Sequence, residues 1–424
     1  MGCCFSCCCS ETTWLYDEDK WEQLMIPLEE NVFKECGYQK GSDYDAMFTL
    51  IEMDGAPFKV RTFYVGTDAG KAKDKPTVFF IHGNMTCFAA FASFAKNLSQ
   101  HYRVVGIDLV NLGLSTRSPQ SHRDKIGTDH DKAEAWNTEY IEKVVNALDL
   151  PEKFFICTMS IGGWYGMRYA SLHPERIDGL FCMTPPATTP YDPENNPRHK
   201  TGYGVAVDIA TSTKWEEKAT TDWHKERIAK GLHGYHKEIH QHGPCMKKFI
   251  LGIFQKLAIE GVLNGKGSNT PPGCAKAMGK YAYHMYGRTG GADQTMEGMF
   301  VWPNLLVHPF QAEDRLNNSS CNFPMALAFG AADAFASNIG GEDLLKLIGN
   351  HNGGRINLFK IGGDKTDPKD GATHIFYICF EQECVDAIVG HFNGTITGRW
   401  EPTVLGSHLK PGTTRPGGDF VVVK

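Results

Sequence analysis

Ser160 stands in Thr158-Met159-Ser160-Ile161-Gly162-Gly163, between an apolar run ending at Cys157 and a helical pattern that enters at Gly163. A strand, a tight turn and a helix in that order are what a nucleophile elbow requires, with small residues flanking a serine whose hydroxyl is presented at the sheet edge. Thr158 occupies the position where such turns usually carry a first glycine, and Gly162-Gly163 leaves room for close packing beneath the turn. A serine hydroxyl is a weak nucleophile at neutral pH and needs a base to take its proton. In folds of this kind the acid and the histidine follow the serine in chain order. Asp333 follows an apolar run over 324–329, in Phe329-Gly330-Ala331-Ala332-Asp333, and His374 follows the next run in Gly371-Ala372-Thr373-His374. A tetrahedral oxyanion needs two backbone donors, and the N–H groups expected to supply them are those of Ile161 and of Asn84 in Ile81-His82-Gly83-Asn84. A second tight turn is expected over Asp108 to Ser115, where Asn111 takes a glycine position that its tolerance of left-handed conformations allows. Each piece alone has a bland reading, a serine in a turn or a histidine in a loop. Five pieces in the required order are hard to obtain by coincidence.

Together, His82-Gly83, Asp108 to Ser115, Ser160 to Gly163, Asp333 and His374 resemble the α/β-hydrolase-domain family. Within it the chain looks most similar to the branch of the N-acylphospholipid lipases and the lipid-droplet coactivator of triglyceride lipase, on Tyr283-His284, Gly290-Gly291, Trp302, Pro309 and Arg315-Leu316. The resemblance covers about 33–392 and implies esterase or phospholipase activity on acyl lipids, with no cofactor. The coactivator has Asn at the nucleophile position, whereas Ser160 is retained here. An H-x4-D motif linked to acyl transfer in some members ends here in Cys379, so acyltransferase activity is not carried over.

The elements that must position these groups are legible in the periodicity. Residues 14–36 show helix-like spacing. Strands are expected over 46–53 and 57–65, flanking the hairpin signal Asp54-Gly55. Continuous apolar runs over 77–81, 103–107, 154–157 and 179–183 suit strands buried on both faces of a parallel sheet. Helical patterns over 133–148 and 163–173 alternate with them, which predicts an α/β fold with a mostly parallel, doubly wound sheet. Between 185 and 321 clear strands are absent, and this insertion of roughly 135 residues, far longer than an ordinary connection, reads as a large helical cap. The expected organisation is an anchor over 1–10, the first part of the core over 11–184, the cap over 185–321, the second part of the core over 322–397 and an irregular tail over 398–424.

The chain has 424 residues, 42% hydrophobic and 22% charged, with a net charge of −6. That balance gives no attraction to nucleic acid. Of the 14 cysteines, five are Cys3, Cys4, Cys7, Cys8 and Cys9. Isolated ones such as Cys157 and Cys182 read as small hydrophobes in a reducing compartment. The start Met1-Gly2-Cys3-Cys4-Phe5-Ser6 fits the pattern in which Gly2 is myristoylated. One such chain binds a membrane weakly, and the acidic stretch that follows supplies no basic patch. S-acylation of the five cysteines is therefore the expected second signal, with lipid anchoring at the cytoplasmic face of a membrane. The competing reading is a short metal-binding tract, which adjacent cysteines and the lack of a nearby histidine disfavour. No metal site is expected. His233, His236, His240, His242 and Cys245 read as a solvated helix face, and the apolar run over 249–263 either packs on the sheet or lines an acyl channel or dips into the membrane interface. The expected activity is hydrolysis of acyl esters of membrane lipids. Its rivals are a non-catalytic lipid-binding scaffold or lipase coactivator, and a protein S-acyl thioesterase.

Overall fold

The computed structural model describes residues 18–66, 74–84, 86–118, 122, 125–126, 129–185, 271–287, 300–301, 306–307, 315–316, 320–330, 356–362, 374–395 and 420–422. The histidine-rich group, the apolar run over 249–263, Asp333 and residues 1–17 lie outside them.

The first helix, α1 (Glu18–Glu35), leads into a hairpin of β1 (Tyr44–Met53) and β2 (Ala56–Val65). Asp54 and Gly55 both have positive φ, 51° and 75°, as a two-residue hairpin turn needs. Then come β3 (Thr77–Ile81), a short 3-10 turn (Phe88–Phe91), α2 (Ala92–Leu98) and β4 (Arg103–Ile107). Next are α3 (His130–Ala147), β5 (Phe154–Met159), α4 (Ile161–Leu172) and β6 (Ile177–Met183). After residue 270 come α5 (Pro272–Gly287), β7 (Phe300–Val301), β8 (Leu306–Val307), β9 (Met325–Gly330) and β10 (Ile356–Ile361). Last are α6 (Phe376–Cys379), α7 (Glu381–Phe392) and β11 (Phe420–Val422).

Among the described residues nine strands form one sheet, in the order β1-β2-β4-β3-β5-β6-β9-β10-β11. β1 pairs antiparallel with β2, and β2 with β4; every other pair in it is parallel. The central strands β3 and β4 are buried along their whole length, as their unbroken apolar runs require. One face is covered by α3 and α4, through Trp136, Tyr140, Ile141, Trp164 and Tyr169. The other is covered by α1, α2, α5 and α7, through Trp21, Phe33, Phe94, Tyr281 and Ile388. This is the doubly wound arrangement that alternating strands and helices dictate.

Two expectations need correction. The segment read as strand-free holds the two-residue strands β7 and β8, paired antiparallel, runs too short to show periodicity. The tail read as irregular contributes Phe420–Val422 as β11, added in parallel to β10. Its Phe-Val-Val is a strand-forming sequence that acquires a partner only from the sheet edge.

Ion pairs fix the direction of α1. Because Thr62 of β2 pairs with Ile107 at the end of β4, Lys59 lies beyond the carboxyl end of the parallel strands. Glu22 meets Lys59 at 2.8 Å, Glu29 meets Arg61 at 2.5 Å, and Glu30 meets Lys40 at 2.5 Å beside the start of β1. The helix therefore begins at the carboxyl-end edge of the sheet and runs away from it. α5 lies antiparallel to α1, since Cys274 in its first turn is disulfide-bonded to Cys36 while Tyr281 reaches the field of Asp108 and Glu29. Arg315 ties the chain back to the core: its guanidinium holds Glu134 of α3 at 2.7 Å, and Arg168 of α4 approaches the same carboxylate at 3.2 Å.

Candidate active site

Ser160 occupies the turn between β5 and α4 with φ 51° and ψ −127°, a conformation that side chains rarely adopt. Strain of this kind, on the order of 1–3 kcal/mol, persists only where the surroundings over-determine it. Here the Ser160 N–H donates to the Met183 carbonyl at 2.8 Å, and the Gly163 N–H donates to the Ser160 carbonyl at 2.7 Å. The turn is closed from below by absent side chains. A Cβ at Gly162 would fall onto the Ile81 and His82 carbonyl oxygens. The departure at Thr158 is accommodated one helical turn further on, because Gly166 has no Cβ where one would lie 2.5 Å from Thr158 Cγ2.

The loop after β3 is laid against this turn. A Cβ at Gly83 would stand 2.7 Å from Met159 Sδ and 2.8 Å from Ser160 Cβ, so the loop that carries Asn84 passes in contact with the serine. The expected oxyanion donors Asn84 and Ile161 thus come from the two segments that meet at Ser160. Ile161 is the first residue of α4, whose amino-terminal dipole also favours negative charge.

His82 fixes that loop. Its Nδ1 lies 2.7 Å from the Gly83 carbonyl, and its Nε2 accepts the Leu109 N–H at 2.9 Å, which requires the neutral ring with the proton on Nδ1. Burial lowers its pKa to about 4, against the opposing hydrogen bond to Gly83. The unfolded chain therefore binds more protons than the folded one between about 6.5 and 4. The resulting stability is present above the unfolded value and is lost as pH falls through the folded one. In urea titrations, His82→Gln is expected to be less stable than the unsubstituted chain at pH 7. That gap should narrow by on the order of 3 kcal/mol toward pH 4. An equal gap at both pH values would show that the ring is not held neutral.

The turn after β4 is equally constrained. Asp108 accepts from the Phe88 N–H at 2.8 Å with Oδ1 and from the Leu114 N–H at 2.9 Å with Oδ2. Burial nevertheless pushes its carboxyl up to about 7, helped by the Glu29 charge. Gly113, at φ 52°, is required because any Cβ there would collide with the Asp108 carboxylate. Asn111 has φ 69° and accepts the Ser118 N–H at 2.6 Å, so an asparagine serves at this left-handed position as expected.

His374 lies in the turn before α6, half-buried. Three residues on, Tyr377 stacks on Phe91 at 4.3 Å, and Phe91 packs on Phe80 of β3 at 4.7 Å. The histidine-bearing segment is thereby packed against the turn that follows the Asn84 loop. Asp333 lies outside the described residues, three beyond the end of β9, whose neighbours are β6 and β10. Gly2, Cys3, Cys4, Cys7, Cys8 and Cys9 lie outside them as well. Among the described residues no helix is long and apolar enough to cross a membrane.

Three features here were not anticipated from sequence: the buried Glu29–Arg61 pair, the Glu134 clamp on Arg315 and Arg168, and the Cys36–Cys274 bond. The available signal for the first was a charged Arg61 in the middle of an otherwise strand-like run.

Comparison with known proteins agrees with this geometry. The family model described as alpha/beta hydrolase fold matches residues 76–205, which hold both the Asn84 loop and the elbow. Epoxide hydrolase 1 of Caenorhabditis elegans is 30% identical over 128 residues, 30% of this chain and 29% of that protein. A 1-acylglycerol-3-phosphate O-acyltransferase of Arabidopsis thaliana is 29% identical over 121 residues, 28% of each. The chain thus matches less than a third of the length of these relatives. A membrane phospholipase A superposes with a TM-score of 0.51 at 16% identity, covering 88% of this chain and 92% of that one. A carboxylesterase from Bacillus subtilis does so with a TM-score of 0.51 at 13% identity, covering 89% and 100%. The sheet order, the matched segment and these superpositions agree: the chain has the α/β-hydrolase fold, with Ser160 at its strand-to-helix elbow.

Proposed function

We propose that the protein is a serine hydrolase that cleaves acyl esters of membrane lipids, related in activity to the N-acylphospholipid lipase branch and held at the cytoplasmic face of a membrane by N-terminal acyl groups. The observation that carries this reading is the strained Ser160 turn pressed against the Gly83-Asn84 loop, since a nucleophile and two converging backbone donors are what acyl transfer to an alcohol requires. In this mechanism Ser160 Oγ attacks the ester carbonyl while His374 accepts its proton. The N–H groups of Asn84 and Ile161 stabilise the oxyanion. His374 then protonates the leaving alcohol, and Asp333 orients the imidazole. Water attacks the acyl-enzyme by the same route in reverse, and no cofactor takes part in these steps.

The lipid substrate is supported by the name of the acylglycerol-phosphate relative and by the direction of α1. That helix starts at the sheet end that bears Ser160, so an acylated segment preceding residue 18 would join the body on the catalytic side. On the edge strand at that end, Met47 and Leu50 are 47% and 66% exposed, apolar side chains suited to contact with lipid.

The test is release of fatty acid from phosphatidylcholine vesicles containing N-acylphosphatidylethanolamine, beside cleavage of an S-acylated peptide. Hydrolysis of the lipid and not the peptide is expected. Cleavage of the peptide alone would make the protein a thioesterase, and cleavage of neither a scaffold. In cells, Gly2→Ala is expected to shift the protein to the soluble fraction, and unchanged sedimentation would remove the anchor from the proposal.

A further inference from the structure

We propose that Cys36 and Cys274 are a redox-modified pair whose disulfide pins α5, the first described helix after residue 270, to the lead-in helix α1. The inference rests on the packing of these two helices and not on the hydrolase reading.

The other described cysteines are poor candidates for such chemistry. Cys87, Cys157, Cys182, Cys321, Cys379 and Cys384 are buried, as Cys36 and Cys274 are, but none of them is disulfide-bonded to another described cysteine. Burial pushes the Cys182 thiol up to about 12 and that of Cys379 to about 11, so neither supplies thiolate near neutral pH. Cys36 and Cys274 differ in two respects. Their Cα atoms are 5.5 Å apart and their sulfurs are bonded across the α1–α5 contact, although 238 positions separate them. That Cα spacing falls within the span a disulfide needs, so the fold brings the sulfurs together without backbone movement. In addition, Cys274 lies in the first turn of a 16-residue helix, where the dipole favours the thiolate. Opposing it, the Glu35 carboxylate lies against Gly273. Beside Cys36, the Lys96 ammonium donates to the Cys36 carbonyl at 3.1 Å.

The reaction needs a small-molecule disulfide such as oxidised glutathione. The Cys274 thiolate attacks one of its sulfurs, forming a mixed disulfide and expelling one glutathione thiolate. The Cys36 thiolate then attacks Cys274 Sγ, forming the protein disulfide and expelling the second. Two electrons pass from the protein sulfurs to glutathione, and the two thiol protons leave with the expelled thiolates.

The bond is placed to matter for the site without touching it. It lies at the end of α5 remote from the carboxyl edge of the sheet. Seven residues further along, the Tyr281 side chain is fully buried, and its hydroxyl, which has no hydrogen-bond partner among the described residues, lies in the field of Asp108, Cys87 and Glu29. Asp108 supports the turn beside the Asn84 loop. A staple at one end of α5 thus limits motion at a helix whose Tyr281 lies close to Asp108.

The experiment equilibrates the full chain in glutathione buffers from reducing to oxidising, quenches by alkylation and identifies linked peptides by mass spectrometry. A Cys36–Cys274 peptide is expected at the oxidising end, with Cys87, Cys157, Cys182, Cys321, Cys379 and Cys384 alkylated after denaturation. The oxidised form should melt roughly 5–10 °C above the reduced one, because the bond closes a long loop in the unfolded chain. Hydrogen exchange in 272–287 should slow about tenfold on oxidation while 161–172 is unchanged. Cys36→Ala and Cys274→Ala should each abolish the response to oxidised glutathione. Absence of the linked peptide at every ratio would overturn the proposal. So would a linked form with the melting and exchange of the reduced one, or a response that survives both substitutions.

Discussion

Ser160→Ala is expected to lower ester turnover by roughly a thousand- to a million-fold while leaving the melting temperature within a few degrees. The size of the loss follows from removing the attacking atom, since the oxyanion donors and the substrate contacts alone retain only the residual acceleration that binding provides. The insensitivity of the fold follows from what the hydroxyl does not do. Ser160 precedes α4 at its N-cap position without a side-chain capping bond, and the groups that hold its backbone are the Met183 carbonyl and the Gly163 N–H. Alanine suffers the same strain at φ 51° as serine, so the substitution neither relieves nor adds to it. A fluorophosphonate probe should label the unsubstituted chain and leave the variant unlabelled. Labelling of both to the same extent would place the nucleophile elsewhere and end the serine-hydrolase reading.

The parts of this site that could be read from sequence are those specified by local chemistry. β3 and β4 fall on 77–81 and 103–107 as expected, because five apolar residues in a row bounded by turn residues have few other uses in an α/β chain. Asp54-Gly55 specifies its turn through positive φ, and Asn111 and Ser160 are legible for the same reason: few residues suit the backbone that each must adopt. What sequence did not disclose depends on partners far along the chain. Cys36 and Cys274 read as two of several scattered cysteines until α1 and α5 are packed together. Thr158 looks like a defect in the elbow until Gly166 is placed beneath it. Asp333 carries a role argued only from chain order and its place after β9. Family resemblance suggested the lipid substrate, whereas the fold shows the Ser160 elbow and the Gly83 loop laid against it.

Arg61→Met is expected to destabilise the protein by about 3–5 kcal/mol, the largest loss foreseen for a side chain outside the catalytic set. The reason is the carboxylate left behind. Glu29 is fully buried, and Arg61 Nη2 and Nε reach its Oε1 at 2.5 and 3.1 Å. Burial pushes the Glu29 carboxyl up, against the attraction of Arg61. Burial alone would lower the Arg61 guanidinium, but the Glu29 charge overrides it and leaves it raised. With the guanidinium gone, Glu29 has a folded pKa well above its unfolded value. Stability is then fully present below the unfolded pKa and is lost as pH rises through the folded one. The variant should therefore recover toward the unsubstituted stability as pH is lowered from 8 to 5, on the order of the loss itself. Adding Glu29→Leu should restore most of the loss at neutral pH, because a buried pair replaced on both sides by apolar groups costs little. The same substitution tests the link to the site. The Arg61 backbone accepts from the Asp108 N–H at 2.8 Å and donates to Ser115 Oγ at 2.9 Å, so the turn beside the Asn84 loop is held by main chain, not by the guanidinium. The double variant should accordingly keep ester turnover within a few-fold. A single substitution costing less than about 1 kcal/mol in urea titration at pH 8 would show that the pair is solvated and the argument from burial wrong.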